Sequence, residues 1–177
     1  MPQGSIFEKI IQKRMSNDGS LIPRSLVEQG MLSNDIKTLG ATYGLLVNSA
    51  HRIRVTPPID DYDCLEFFHR YFSRCFIEDP TQDWTHSRYV VGWDLANLMK
   101  VWSAESRSQE LIAKTESWLR EVYLSTSDEI RTCIVHATLE HAFESRKLRR
   151  HFANWKSHPS LRNAYEEASL WGDAHRT

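Results

Sequence analysis

Apolar side chains recur with helical spacing along almost the whole chain, and no other feature constrains the fold as much. Leu161, Ala164, Tyr165, Ala168 and Trp171 fall at i, i+3, i+4, i+7 and i+10, which is one stripe on a helix of 3.6 residues per turn. Pro159 stands where such a helix opens and Gly172 where it stops. Ile6, Phe7, Ile10 and Ile11 form a similar stripe ahead of an Asp18-Gly19 turn. Pro23 is placed to open a short helix to Gln29 with Gly30 as its stop. Ser33 or Asn34 then caps a helix reaching Ala50. Leu65, Phe68, Phe72, Cys75 and Phe76 are the expected core face of a helix that Asp60, Asp61 and Asp63 begin and Pro80 ends. Further helices are predicted over 85–102, over 108–124 and from Ser127 to at least Phe143. No segment alternates apolar and polar residues over a strand's length, although "HRIRV" at 51–55 suits a brief extension. The predicted fold is all-α, a compact multi-helix bundle of about seven to nine helices.

Gly40 and Gly44, four apart on the helix after Ser33, predict the close approach of a second helix. "RIRVTPPID" breaks the pattern, because paired prolines cannot continue a helix. Residues 52–60 are therefore the expected linker. Residues 1–51 form an N-terminal helical extension or subdomain, and 61–177 the main helical bundle, continuous with it as one domain. A chain of 177 residues with 41% hydrophobic and 25% charged residues has what a packed core requires.

Composition narrows the function classes. A formal net charge of −1 supplies no global attraction to nucleic acid or to an anionic membrane. No apolar run approaches the roughly 20 residues of a membrane span, and "MPQGSIFEKIIQKRM" lacks the apolar core of a signal peptide. The three cysteines, Cys64, Cys75 and Cys133, include no C-x-x-C pair. They read as small core hydrophobes in a reducing, cytoplasmic setting. Phosphate-binding glycine loops, the G-x-S-x-G nucleophile turn and zinc-spaced Cys/His clusters do not occur in the sequence. No cofactor, metal site or catalytic residue is assigned on sequence.

Three groups of residues could carry chemistry. The first is acidic: Asp60, Asp61 and Asp63 precede the aromatic helix, and Glu78, Asp79 and Asp83 follow it. Acidic patches steer and complement a basic partner, while capping of helix ends explains the same residues without any partner. The second is basic: Arg146, Lys147, Arg149, Arg150 and Lys156 surround a stripe of Leu148, Phe152 and Trp155. This pattern suits nucleic acid, or simply a solvated face over a packed stripe. The third comprises Asp94, His136, Glu140 and His141. Asp94 interrupts an apolar helix and is expected to be at least half-buried, with an interhelical polar contact. His136 and Glu140 are four apart and can touch. His136 and His141, five apart, lie about 140° from one another on an α-helix and cannot hold one metal without outside ligands. His141 is expected inward as a hydrogen-bonded core histidine. Two amphipathic helices are expected to meet near Ser145.

The segments "SRYVVGWDL" at 87–95, "CIVHATLEHAFE" at 133–144 and "LRRHFANWKSHPSLRNAYEEASLWG" at 148–172 resemble small all-helical proteins of bacteria whose activities are uncharacterised. The resemblance covers roughly the last 90 residues. It implies a bacterial, helical, cytoplasmic protein and carries over no site residues. The residues themselves favour a non-enzymatic protein-interaction module, with an immunity protein that neutralises a basic toxin as one form of it. Nucleic-acid binding or regulation through the basic helix 146–156 ranks second. An enzyme with an interhelical Asp/His/Glu site ranks third.

Overall fold

The structure, a computed structural model, describes residues 4–16, 18–80, 84–105 and 108–175. It is an all-α fold, and the strand content of the described residues is one two-stranded parallel ladder of two residues a side. The chain divides into two compact units, Met1–Arg74 and Cys75–Thr177.

In the first unit, α1 (Ile6–Met15) begins at a reciprocal cap. The Ser5 hydroxyl accepts from the Glu8 N–H at 3.2 Å, and the Glu8 carboxylate accepts from the Ser5 N–H at 2.7 Å. Gly19 makes the expected turn with φ of +68°. β1 (Ile22–Pro23) leads into α2 (Arg24–Met31), and α3 (Ile36–Val47) starts at Asp35, whose side chain accepts from the Thr38 N–H at 2.8 Å. Gly30, expected to stop α2, lies inside it. A Cβ there would meet the Thr42 hydroxyl at 2.3 Å and Ile10 at 2.6 Å, so this glycine permits close packing. Gly44 meets the expected second helix, with the Arg14 guanidinium of α1 against it.

The proline segment belongs to this unit. After α4 (Ser49–Arg52), β2 (Val55–Thr56) pairs with β1, which is where "HRIRV" extends. Arg54 donates to the carbonyls of Ser20 (2.8 Å) and Ser16 (3.0 Å), and Arg24 donates to that of Pro58 (2.8 Å). Val55 and Ile59 are buried. Backbone carbonyls that face no ladder thus find guanidinium donors, and the division between units falls at Arg74 within α5 (Asp61–Glu78) instead of at residues 52–60. Tyr43 packs against Phe68, Tyr71 and Phe72 with ring centroids 5.1–5.7 Å apart.

The second unit contains α6 (Arg88–Ala104), capped by Ser87, and α7 (Gln109–Ser125). A continuous helical run follows: α8 (Asp128–Cys133), a π-helical segment (Ile134–Leu139) and α9 (Glu140–Phe143). Ser145 caps α10 (Arg146–Arg150), the junction expected there, and a 3-10 turn (Ala153–Ser157) leads to α11 (Arg162–Ala174). Two glycines set the helix spacing. A Cβ on Gly92 of α6 would lie 2.6 Å from the Ala137 Cβ in the π segment. A Cβ on Gly172 would lie 2.7 Å from the Phe143 backbone, so Gly172 belongs to the α9–α11 contact and is not the end of α11. Leu148, Phe152 and Trp155 are fully buried, as their stripe predicts, beside Phe143 and Tyr165. All three cysteines are buried free thiols. Burial pushes the Cys64 and Cys133 thiols up to about 12, which makes them inert as nucleophiles near neutral pH.

Candidate functional site

The three residue groups meet different fates. At the start of α5, the Asp60 carboxylate accepts from the Asp63 N–H at 2.9 Å, and Asp63 returns the bond to the Asp60 N–H at 3.2 Å. Asp61 pairs with Arg52 at 2.6 Å, and Asp63 lies 3.3 Å from Arg24. Capping and ion pairing therefore engage all three acids within the first unit. Exposed charge and aromatic surface still remain beside them. Tyr62 is 45% exposed, and the exposed Glu66 carboxylate makes no hydrogen bond or ion pair with another described residue. In the second unit, Asp79 has φ of +39°, a left-handed residue just after α5. Its carboxylate accepts from the Arg88 N–H at 2.9 Å at the first turn of α6, and the buried Arg88 guanidinium pairs with Asp79 and with Glu129 at 2.8 Å. Glu78 is exposed. Asp83 lies outside the described residues.

The basic residues divide similarly. Lys147 donates to the Ser103 carbonyl, Arg149 pairs with Asp173 at 2.8 Å, and Lys156 sits 5.4 Å above the Tyr165 ring. Arg146 and Arg150 are exposed and make no side-chain contact of this kind with another described residue. An open groove of about 490 Å³ runs along α11, lined by Arg149, Lys156, Glu166 and Asp173 among others. Its two cations face two acids, which leaves no net positive field for phosphate.

Asp94 does not join the histidines. It follows Gly92 by two residues, about 200° around α6 from the face that meets the π segment. It is half-buried, as expected, and burial pushes its carboxyl above the usual carboxylate range. No described residue hydrogen-bonds or ion-pairs with it, so the expected interhelical polar contact does not form among the described residues.

His136, Glu140 and His141 do come together, with help from α11. His136 Nδ1 lies 2.8 Å from the Glu140 carboxylate, and its Nε2 lies 3.7 Å from Glu167 on α11. One donor atom from each of the three residues lies within 4.8 Å of the others. Glu140 is buried, His136 is partly exposed and Glu167 is exposed. His141 is not a core residue: it sits at the edge, 3.1 Å from Glu144, with its ring edge-on to Trp93 (5.9 Å) and Trp171 (4.7 Å). Burial raises the Glu144 carboxyl, but Lys100 at 2.5 Å and His141 outweigh it and hold it below the usual range.

The π segment explains why two histidines five residues apart both meet α11. An α-helix would separate them by about 140°, whereas the i→i+5 repeat of π geometry turns such a pair toward one side. His136 reaches Glu167 and His141 reaches Trp171, which are i and i+4 on α11. The composition of 133–144 carries no cue for a π turn. Glu167 was likewise beyond sequence reading, because "YEEASLW" does not say which acid faces another helix. A second unanticipated acid, the buried Glu116, accepts from the Trp155 indole N–H at 2.7 Å and from the Asn154 amide at 3.2 Å.

The fold and sites define a two-unit, all-α protein whose second unit carries the His136, Glu140 and Glu167 cluster. No helix among the described residues is long and apolar enough to cross a membrane. No family model matches the chain, and neither a curated protein nor a solved structure matches it.

Proposed function

We propose that the chain is a non-enzymatic protein-interaction module that presents the N-terminal end of α5 to a basic protein partner, an inhibited toxin being one such partner. The observation that carries this reading is the surface beside the capped acids, where Tyr62 and Glu66 are exposed next to Asp60 and Asp63. An aromatic side chain within an acidic rim suits a basic partner: the ring supplies contact area, and the acids supply steering and register. The inert thiols and the position of Asp94 away from the histidines favour binding over catalysis.

The test separates recognition from folding. Asp61 and Asp63 hold Arg52 and Arg24, so their reversal would disturb the unit itself. Tyr62→Ala with Glu66→Lys alters only exposed groups. Purified protein should retain a stoichiometric basic protein from host lysate, and the double variant should lose it with an affinity drop of about 100-fold. Equal retention by the wild type and the double variant would overturn the reading.

A further inference from the structure

We propose that His136, Glu140 and Glu167 form a binding site for a divalent transition-metal ion of the zinc type. The site lies in the second unit and is independent of the partner surface on α5.

Two carboxylates, one buried and one exposed, converge on a single imidazole. Among the described residues no lysine or arginine pairs with either of them. At the start of α5, by contrast, two of the three acids face a guanidinium. Carboxylates brought together without a fixed cation are the arrangement that a mobile cation completes.

Donor type then narrows the ion. One imidazole nitrogen with carboxylate oxygens suits zinc and its first-row neighbours better than magnesium or calcium, which take oxygen donors. Donors around a tetrahedral zinc stand about 3.4 Å apart, given bonds of about 2.1 Å. Here the His136–Glu140 contact is 2.8 Å and the whole set lies within 4.8 Å. Occupancy therefore requires the short contact to open slightly and Glu167 to swing inward. Glu167 is exposed on α11 and free to do so. Three protein donors leave at least one coordination position to water, the composition of an open site.

The backbone holds the donors in place. His136 stands in the π segment and Glu140 begins α9, so the local π turn sets their relation, and such turns recur at functional sites. The close α9–α11 approach at Gly172 brings Glu167 within reach.

The experiment uses the full chain, freed of metal with a chelator and titrated with zinc chloride by calorimetry. A single zinc ion should bind per chain. His136→Ala should abolish that binding, and Glu167→Gln should weaken it about 10- to 100-fold. His158→Ala, at a histidine outside the cluster, should leave it unchanged. Far-UV circular dichroism in chelator checks that each variant is folded, and Glu167→Gln alters only an exposed side chain. At the same concentration zinc should raise the melting temperature of the wild type more than that of Glu167→Gln. No zinc uptake by the wild type, wild-type affinity in His136→Ala, or equal affinity for magnesium would each overturn the site.

Discussion

The two ends of the molecule's acid chemistry invite comparison: the start of α5 in the first unit and the π segment with α11 in the second. Both gather carboxylates. At α5, Asp60 and Asp63 satisfy each other's backbone N–H groups while Arg52 and Arg24 take the remaining charge. At the π segment, Glu140 and Glu167 share only His136 among the described residues. The histidines differ in the same way. Burial pushes His69 of α5 down to about 4, whereas His136 stands partly exposed between two acids. Acids engaged by backbone and arginine hold an element in place; acids and imidazole brought together without a fixed cation are available for chemistry.

The largest expected effect tests the structural half of this contrast. His69 has a folded value of about 4 against an ordinary 6.5, so the unfolded chain binds its proton more tightly. The stability contributed by keeping it neutral is fully present above 6.5. It falls as pH drops from there toward 4, by about 3 kcal/mol in all. Urea midpoints of wild type and His69→Gln, compared at pH 7.5 and pH 4.5, should converge at the lower pH. A difference between the two proteins that does not change with pH would remove the assignment.

Next comes Glu116, a third way of housing an acid. It is buried and serves the Trp155 indole and the Asn154 amide. Glu116→Leu leaves the buried indole N–H unpaired and should cost about 2 kcal/mol in urea unfolding. Glu116→Gln keeps an acceptor and should cost less than half of that. Equal stability of Glu116→Leu and wild type would show that the bond adds nothing.

These residues also show how far sequence reading reached. The stripes Leu148–Phe152–Trp155 and Leu65–Phe68–Phe72–Cys75–Phe76 were legible, because burial of one helix face is a periodic property. The capping role of Asp60 and Asp63 was legible too, since caps are local chemistry, whereas Asp61 pairs with Arg52. Gly30 and Gly172 misled, because a glycine that stops a helix and one that admits a neighbouring helix look alike in one dimension. The approach of Glu167 to His136 and the pairing of Glu116 with Trp155 depend on which faces meet across more than 25 residues of chain. No local pattern encodes those meetings.

A smaller effect is expected at the α5 cap. Asp60→Ala removes the acceptor for the Asp63 N–H and should cost about 1 kcal/mol, while Asp60→Ser, which restores an acceptor, should recover most of it. Chemical denaturation of the three proteins measures this, and an Asp60→Ala midpoint equal to that of wild type would show that α5 starts without help from its cap.

The smallest effect is the most informative for the comparison. Glu167→Gln in metal-free protein should change stability by under about 0.5 kcal/mol. The side chain is exposed, its distance from His136 is 3.7 Å, and no arginine or lysine among the described residues depends on it. Asp60→Ala, by contrast, should show its cost at every metal concentration. The two substitutions therefore diverge when zinc is added: Asp60→Ala keeps its deficit and Glu167→Gln acquires one, because the intact His/Glu cluster gains more from the ion. If Glu167→Gln instead destabilises the metal-free protein as much as the cap variant does, Glu167 is a structural acid like those of α5. The distinction between the two regions would then rest on His136 and Glu140 alone.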